Sequence, residues 1–387
     1  MTIFLKKLKY YTRLIAEKFV VLACSIFLSK YKSDIVVIRL DAIGDYILFR
    51  NFLIEIRTSK KFANKKITLI GNIAWREIAE ILDNEVVDKF IWLDRNKLWK
   101  DKKYRLMILF KLAKYKFDYL ISPTYSREFR HLDLLVNAIN ANYKIGSQGN
   151  LSNMTILEKE IGDKFYTQLV PANSGVLFEF DRNKEFFNYL LGGNLYTNIS
   201  IDLAANNPSL GLKHKSYVVL FIGASSPFRR WSIDKFIELS IWINSIYECD
   251  VLLCGTNSDL ASQNYHVPEY AWLKNMIGKT SLFSMIELLG SAKFVISNET
   301  SIPHMCVGLD VNVFVISNGN HFGRFTPYPK SITDKYHPIY NLELVSYLNN
   351  FELLVSKYSD GSDLDINKIK VNEVKNIIMK ITNVDIV

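Results

Sequence analysis

The sequence predicts an α/β protein made of two halves, each with a parallel β-sheet. Short β-branched runs alternate with helix-like segments from residue 35 to about residue 140, and the same alternation restarts at residue 217. Such runs are typical of strands buried on both faces, and strands that alternate with helices form right-handed βαβ units. The 387 residues and the 49% hydrophobic content allow two full cores. Residues 206–211 have the composition of a linker.

In the first half, four strands are expected, with helices between them. The strands lie at residues 35–40, 66–70, 86–93 and 119–122. The helices lie near residues 46–57, 74–82, 98–116 and 128–140. The pattern weakens over residues 145–210, where one helix is expected at 179–191.

The second half repeats this organisation. Its strands are expected at residues 217–222, 251–254, 294–297 and 311–316, and its helices at 232–247, 281–290 and 302–308. Open parallel sheets bind ligands at the carboxyl ends of their strands. We therefore expect a binding site at these strand ends, and a cleft between the halves.

Positive charge is concentrated in two segments of the first third of the chain. The net charge is +9, but residues 1–33 alone carry +6 and residues 95–116 carry +8. Such segments suit an anionic lipid surface or a phosphorylated glycolipid, and the alternative is a solvated helix face. Nucleic acid is not expected as a partner, because neither segment has a recognised binding motif.

Residues 1–33 are predicted to form a basic amphipathic helix. Their apolar run, residues 19–28, is half of the about 20 residues that a spanning helix needs, and no signal-peptide cleavage site follows it. A helix lying in the membrane interface fits this pattern. A helix packed on the body of the protein is the alternative.

The segment Asp41-Ala-Ile-Gly-Asp45 follows the first strand. Gly44 permits a tight turn, and the amides after it can face an anion or a sugar. Asp45, at a strand end, suits a general base, whereas the alternative is an N-cap for the next helix. The segment is neither a GxGxxG fingerprint nor a P-loop, so a nicotinamide cofactor is not expected.

The loop of residues 221–231 has the composition of a diphosphate site. It combines small residues, including Ser225, with Arg229 and Arg230 immediately before a helix. Hydroxyls and amides can donate hydrogen bonds to phosphate oxygens, and a guanidinium supplies charge. The alternative is an ordinary loop with solvated arginines.

A second anion site is expected at residues 297–304. Thr300 and Ser301 stand at a helix start, where exposed amides and the helix dipole attract negative charge. Glu299 can accept hydrogen bonds from sugar or ribose hydroxyls. His304 lies one turn into the helix, where a lone histidine is more often a packing residue.

The polar and aromatic loop of residues 318–328 can close over a nucleotide base. Its candidates are His321, Arg324 and Tyr328, with Gly255 at the end of another strand of this half. A plain surface loop is the alternative. No DxD pair lies at the end of a predicted strand and no His, Cys and Asp cluster has metal spacing, so neither a metal nor a cofactor is expected. Arginines would then neutralise the charge on a phosphate.

These segments resemble glycosyltransferase family 9, the ADP-heptose:lipopolysaccharide heptosyltransferases. The resemblance covers residues 35–328 and rests on the motifs at 35–45, 223–231 and 297–304. It implies the GT-B fold, with two Rossmann-like domains whose parallel sheets face a central cleft. Residues 34–205 would form the acceptor domain. Residues 206–387, with a C-terminal helix, would form the nucleotide-sugar donor domain.

The resemblance also implies residue roles for an inverting, metal-independent transfer. Asp45 would be the catalytic base, with Asp41 and Gly44 on the acceptor side. A basic phosphate ligand would fall on Arg229 or Arg230. The family's donor-binding element would fall on Glu299, Thr300, Ser301 and His304. Glu299 stands where the family has Asp, and Ser301 where it has Gly.

The expected reaction transfers a sugar, heptose from ADP-heptose, to a lipopolysaccharide or lipooligosaccharide core or another cell-surface glycan. The nucleotide sugar is a substrate rather than a cofactor. The expected location is the cytoplasmic face of the inner membrane, next to a lipid-linked acceptor. Two alternatives are a sugar-nucleotide epimerase of the same fold and a non-catalytic relative that binds glycans or lipids.

Overall fold

The computed structural model describes residues 31–203 and 217–383, together with Thr12 and Phe19. The chain divides into two compact units, one of residues 1–175 and 180–197 and the other of residues 176–179 and 198–387. The predicted linker at 206–211 lies outside the described residues. Most of the predicted helix of residues 1–33 also lies outside the described residues. The exceptions are Thr12, Phe19 and residues 31–33, and the last three belong to the first strand.

The first unit contains a parallel sheet of six strands in the order β3-β2-β1-β4-β5-β6. The strands are β1 (Tyr31–Arg39), β2 (Ile67–Asn72), β3 (Lys89–Leu93), β4 (Tyr115–Ser122), β5 (Ala141–Ser147) and β6 (Gln168–Val170). The direction of strand order reverses between β1 and β4. Ligands of open α/β sheets bind at such a switch point.

Eight α-helices accompany this sheet in the described part of the chain. They are α1 (Ile43–Ile47), α2 (Phe52–Thr58), α3 (Arg76–Leu82), α4 (Arg95–Lys100), α5 (Lys102–Ala113), α6 (Leu134–Ala138), α7 (Ile156–Asp163) and α8 (Glu179–Leu191). The prediction for α8 is confirmed. The single helix predicted at 98–116 is wrong: Asp101 separates α4 from α5, because its side chain accepts the first free amides of α5.

The second unit repeats the topology of the first. Its sheet has the order β12-β11-β10-β7-β8-β9, so both sheets read 3-2-1-4-5-6 when counted from their own first strand. The strands are β7 (Tyr217–Phe221), β8 (Asp250–Cys254), β9 (Leu273–Asn275), β10 (Val295–Asn298), β11 (Val313–Ser317) and β12 (Tyr336–Tyr340). The helices are α9 (Ile233–Tyr247), α10 (Asn257–Ala261), α11 (Leu282–Gly290), α12 (Ser301–Gly308), α13 (Leu342–Val345), α14 (Phe351–Tyr358) and α15 (Val371–Thr382).

The strands form as predicted where branched aliphatic residues are buried in the core. Val36 and Ile38 of β1 and Val218 and Leu220 of β7 are completely inaccessible to solvent. These side chains belong to the cores that hold the helices against each sheet. No helix in the described part of the chain is long and apolar enough to span a bilayer.

Candidate active site

Asn298, the last residue of β10, joins β10 to the loop that follows β7. Its Nδ2 donates to the carbonyl of Ile222 at 2.8 Å, and its Oδ1 accepts from the amide of Trp231 at 3.0 Å. The side chain is fully buried. Asn298 therefore fixes residues 222–231 at the switch point of the second unit. Sequence reasoning missed it, although a polar residue at the end of an apolar strand was the available signal.

The Arg230 side chain makes contacts within this loop and with the neighbouring helix α10. Its Nε donates to the carbonyl of Ala224 at 2.9 Å, and Nη1 donates to Ser262 Oγ at 2.6 Å. Its Nη2 lies 3.6 Å from Asp259 Oδ1. These contacts direct the guanidinium into the fold, where it ties the loop to α10.

Arg229 has a different environment. Its Nη2 donates to Ser225 Oγ. Its Nε is buried and has no hydrogen-bond partner among residues 31–203 and 217–383. Its charge acts on the neighbouring Glu299 carboxyl. Since a buried donor without a partner is costly, this nitrogen is suited to an anionic ligand.

The first turn of α12 presents a backbone donor at the same switch point. Thr300 is the N-cap, and its Oγ1 accepts the amide of Ile302 at 3.2 Å. Pro303, two residues after the start, has no N–H group. The amide of Ser301, the first residue of the helix, is suited to an anion, with the positive end of the helix dipole behind it.

Glu299 lies at the end of β10 and is only 6% exposed. Ser317, the last residue of β11, donates to its Oε2. Burial raises the pKa of the Glu299 carboxyl to about 7, although the Ser317 hydrogen bond and the Arg229 charge oppose the shift. This carboxyl therefore changes charge near neutral pH, whereas a glutamate with an ordinary pKa would be ionised there.

His304 lies in an aromatic cluster. Its Nδ1 is 2.6 Å from Tyr328 Oη, and its ring contacts those of Tyr328 and Phe325. Burial lowers the pKa of His304 to about 4, so the imidazole is neutral at physiological pH. This environment is that of a packing residue, which was the alternative for His304.

The loop of residues 318–328 is held from several sides. Asn318 Nδ2 donates to the carbonyls of Phe228, at 3.3 Å, and of Leu364, at 3.2 Å. Arg324 Nη2 lies 3.8 Å from Glu179 Oε2, and His321 Nδ1 lies 3.2 Å from the carbonyl of Ser359. With the contact between Tyr328 and His304, all three predicted base-binding side chains thus have partners within the second unit.

Gly255, after β8, lies against the loop after β7. A side chain at this position would meet Ile222 Cγ1 at 2.9 Å. The absence of a Cβ is therefore required by packing at the switch point. The second unit brings Ser225, Arg229, Gly255, Glu299, Thr300 and Ser301 to the carboxyl ends of β7, β8 and β10.

In the first unit, Asp41 follows β1 and is already paired. Its Oδ2 lies 2.7 Å from Arg39 Nε and accepts from Thr124 Oγ1 at 3.1 Å. Thr124 follows β4, so Asp41 connects the two strands on either side of the switch point. These contacts favour a positioning role for Asp41.

Asp45 lies in the first turn of α1, at the carboxyl end of β1. The helix begins at Ile43, three residues earlier than predicted, and its N-cap is Ala42. The alternative that Asp45 is the N-cap is therefore wrong. Gly44 lies within α1 and therefore has helical rather than tight-turn geometry. Asp45 is half-buried, and a carboxylate in the first turn is favoured by the helix dipole.

The helix that carries Asp45 is anchored by a buried polar cluster. Tyr46 Oη donates to Asp83 Oδ2, and Arg50 Nη2 donates to Asp83 Oδ1 at 2.7 Å. The Tyr46 ring stacks on Trp75 with centroids 4.0 Å apart. Burial raises the pKa of Asp83, against the opposing charge of Arg50. Asp83 is too distant in sequence from Tyr46 for a local pattern to have linked them.

No group of three His, Cys, Asp or Glu side chains in the described part of the chain is placed to hold a metal ion. Cys249, Cys254 and Cys306 are buried and unpaired. The absence of a metal requirement stays a prediction.

Comparison with known proteins identifies the family. The model of glycosyltransferase family 9 (heptosyltransferase) matches residues 133–349, more than half of the chain. The chain belongs to glycosyltransferase family 9. It is a glycosyltransferase with the GT-B fold of two doubly wound parallel sheets. No curated protein matches the sequence.

Solved structures of low sequence identity share this fold. The E. coli heptosyltransferase WaaC with ADP-2-deoxy-2-fluoro heptose is 15% identical, with a TM-score of 0.67, and the match covers 90% of this chain and 99% of that one. A family 9 glycosyltransferase from Veillonella parvula is 16% identical, with a TM-score of 0.65 and coverages of 91% and 97%. E. coli ADP-heptose lps heptosyltransferase II is 14% identical, with a TM-score of 0.57 and coverages of 90% and 99%.

Proposed function

We propose that this family 9 glycosyltransferase moves heptose from ADP-heptose to a lipopolysaccharide or lipooligosaccharide core, or to another lipid-linked cell-surface glycan. The transfer would invert the anomeric centre in one displacement and use no metal. Family membership supports the donor class, as do the relatives solved with ADP or an ADP-heptose analogue. The observation that carries the proposal is the buried Nε of Arg229 at a switch point, which has no hydrogen-bond partner among the residues that the structure describes.

The donor diphosphate would bind at the switch point of the second unit. Arg229 Nε and the amide of Ser301 would donate to its oxygens, and the dipole of α12 would add to the attraction. Ser225 would hold the Arg229 guanidinium in place through the hydrogen bond between them. Together these groups would stabilise the negative charge that develops on the leaving ADP, as a metal does in other enzymes.

Asp45 would act as the general base of the transfer. An acceptor hydroxyl would give its proton to the Asp45 carboxylate while its oxygen forms a bond to the anomeric carbon. The bond from that carbon to the ADP oxygen would break in the same step, with inversion. Such proton transfer contributes about 10² to 10⁴ in rate. The family resemblance supports this role, together with the place of Asp45 at the carboxyl end of β1.

A panel of nucleotides tests the donor. Titration calorimetry should give saturable binding of ADP and ADP-heptose, with UDP and GDP binding much more weakly. With a deacylated, water-soluble lipopolysaccharide core, nuclear magnetic resonance should then show a glycosidic product of opposite anomeric configuration. Binding without transfer to any acceptor would contradict the enzymatic proposal, and a preference for UDP would contradict the donor.

A further inference from the structure

Helix α5 in the first unit exposes apolar side chains. Leu106, Met107 and Phe110 are 43%, 55% and 44% exposed, whereas Ile108, Leu109 and Leu112 on its other side are buried. The buried side chains pack on the sheet and on α6. Helix α5 is therefore apolar on both sides. Its inner side packs in the core. No other part of the described protein buries its outer side.

Lysines surround these exposed apolar residues. Spacings of three and four residues place Lys103, Lys111 and Lys114 on the same side of the helix as Leu106, Met107 and Phe110. All three lysines are exposed and make no ion pair with any residue of the described ranges. We name these six residues the α5 face. Three further lysines are also exposed and make no ion pair within the described ranges. They are Lys100 before the helix, Lys102 at its start and Lys116 after its end.

The start of α5 lies at the edge of the sheet that carries Asp45. The amide of Asp94, directly after β3, donates to Tyr104 Oη at 2.8 Å, so the first turn of α5 lies beside the end of that strand. Because the sheet is parallel, the carboxyl ends of β1 and β3 lie at the same edge. The α5 face thus begins at the edge of the sheet to which the acceptor would bind.

We propose that the α5 face docks on the surface of an anionic phospholipid bilayer. Leu106, Met107 and Phe110 would enter the interface between headgroups and acyl chains, while the lysines contact the phosphates with their flexible stems lying along the surface. The proposal deepens the proposed function, since a lipid-linked acceptor is held in such a surface. It assigns membrane contact to described residues distinct from the predicted N-terminal helix.

The composition of the α5 face favours lipid over other anionic partners. Apolar side chains interleaved with lysines, without a carboxylate or an arginine among the six, lack the base-reading groups and bidentate donors typical of nucleic-acid sites. A protein partner would need a hydrophobic centre with a separate polar rim. Here charge and apolar area share one stripe, as in helices that lie on membranes.

Vesicle flotation of the full chain tests the proposal. The variant Lys103→Glu, Lys111→Glu, Lys114→Glu should bind phosphatidylglycerol-containing vesicles at least about tenfold more weakly than the parent protein at low salt. The matched control Lys330→Glu, Lys368→Glu, Lys380→Glu changes the net charge equally but alters exposed lysines of the second unit. It should retain most of the binding. Phosphatidylcholine vesicles should bind all three proteins weakly.

A second variant tests the apolar contribution. Leu106→Ser, Met107→Ser, Phe110→Ser should reduce binding even where salt has screened the lysines. The proposal would be overturned if the parent protein and both α5 variants bound the anionic vesicles equally well. It would also be overturned if the control variant lost as much vesicle binding as the α5 lysine variant. So would α5-dependent binding to a nucleic acid or a protein in the absence of affinity for vesicles.

Activity separates this proposal from the proposed function. Both α5 variants should transfer sugar to a soluble, lipid-free acceptor at the parental rate, because none of the changed residues belongs to the donor or base site. Loss of vesicle binding with full soluble activity supports the α5 face. Vesicle binding by a protein that transfers no sugar would leave the α5 face intact and contradict the function.

Discussion

At the scale of single residues, two adjacent arginines in one loop have opposite uses. Arg230 bonds to Ala224 and Ser262 and lies near Asp259, so it stabilises the loop. Arg229 bonds only to Ser225 through one nitrogen and keeps Nε without a partner in the described ranges. The sequence predicted a phosphate ligand at one of the two positions. It could not choose between them, because the choice depends on α10, which lies in another part of the chain.

This difference predicts separate phenotypes. Arg229→Gln should weaken ADP binding by about tenfold to a hundredfold, the cost of a lost hydrogen bond to a charged group, and should leave the melting temperature nearly unchanged. Arg230→Gln is the matched control and should lower the melting temperature with a smaller effect on ADP affinity. Calorimetry and thermal denaturation measure both. An equal loss of affinity in the two variants would contradict the assignment.

Glu299 predicts a pH dependence of donor binding. Its pKa is about 7, so the carboxyl is mostly neutral at pH 6 and ionised at pH 8. The ionised form repels a bound diphosphate and attracts Arg229, and a bound diphosphate in turn raises the pKa of Glu299 further. Binding therefore takes up protons, and ADP-heptose should bind up to about tenfold more weakly at pH 8 than at pH 6.

Glu299→Gln is the control for this effect. A diphosphate diester has constant charge in this range, so the Gln variant should give the same dissociation constant at both pH values. Calorimetry at the two pH values measures it. Parental affinity that does not change with pH would contradict the coupling between Glu299 and the donor. A Gln variant with an undiminished dependence would show that another group titrates.

At the scale of elements, helix α1 depends on the buried cluster of Tyr46, Arg50 and Asp83. Asp83→Ala would remove the carboxylate that pairs with the Arg50 guanidinium, and the Arg50 side chain is only 7% exposed. We expect a loss of about 3–5 kcal/mol in the free energy of unfolding, measured by urea denaturation. Transfer activity should fall further than the folded fraction does, because α1 positions Asp45.

An exposed ion pair provides the control for this prediction. Lys375 and Glu238 lie 3.3 Å apart on the surface, and the Glu238 side chain is 58% exposed. Glu238→Gln should change the free energy of unfolding by less than about 1 kcal/mol. Asp83→Ala with a change as small as this would mean that the cluster does not anchor the helix.

The elements that the sequence predicted are those with strong local patterns. Strands rich in buried Val and Ile, such as β1 and β7, were predicted, and helix α8 has the predicted bounds. The missed strands lie toward the sheet edges: β6 and β9 have three residues each, β5 has an exposed polar start, and β12 contains Pro338. The edge strands β6, β9 and β12 pair on one side only, which permits polar residues and proline that hide the strand pattern, whereas β5 pairs with both of its neighbours.

At the scale of the whole molecule, the fold class followed from the repeated alternation of strands and helices. The two sheets have the same strand order, and the family match and the solved structures confirm the GT-B fold. The location of the candidate residues at strand ends followed from the same pattern. Their partners did not, because Asn298, Asp83 and Ser317 act across distances in sequence that only the folded sheet brings together.

The central claim, that Asp45 is the base of a sugar transfer from ADP-heptose, has a direct test. Asp45→Asn keeps the shape of the side chain and removes its capacity to take a proton. Initial rates of transfer to a soluble core acceptor should fall by about 10² to 10⁴, with ADP-heptose affinity within about threefold of the parent protein. Asp34→Asn, within β1 and bonded to the amide of Lys66, is the control and should keep its rate. Transfer by Asp45→Asn at the parental rate would contradict the claim.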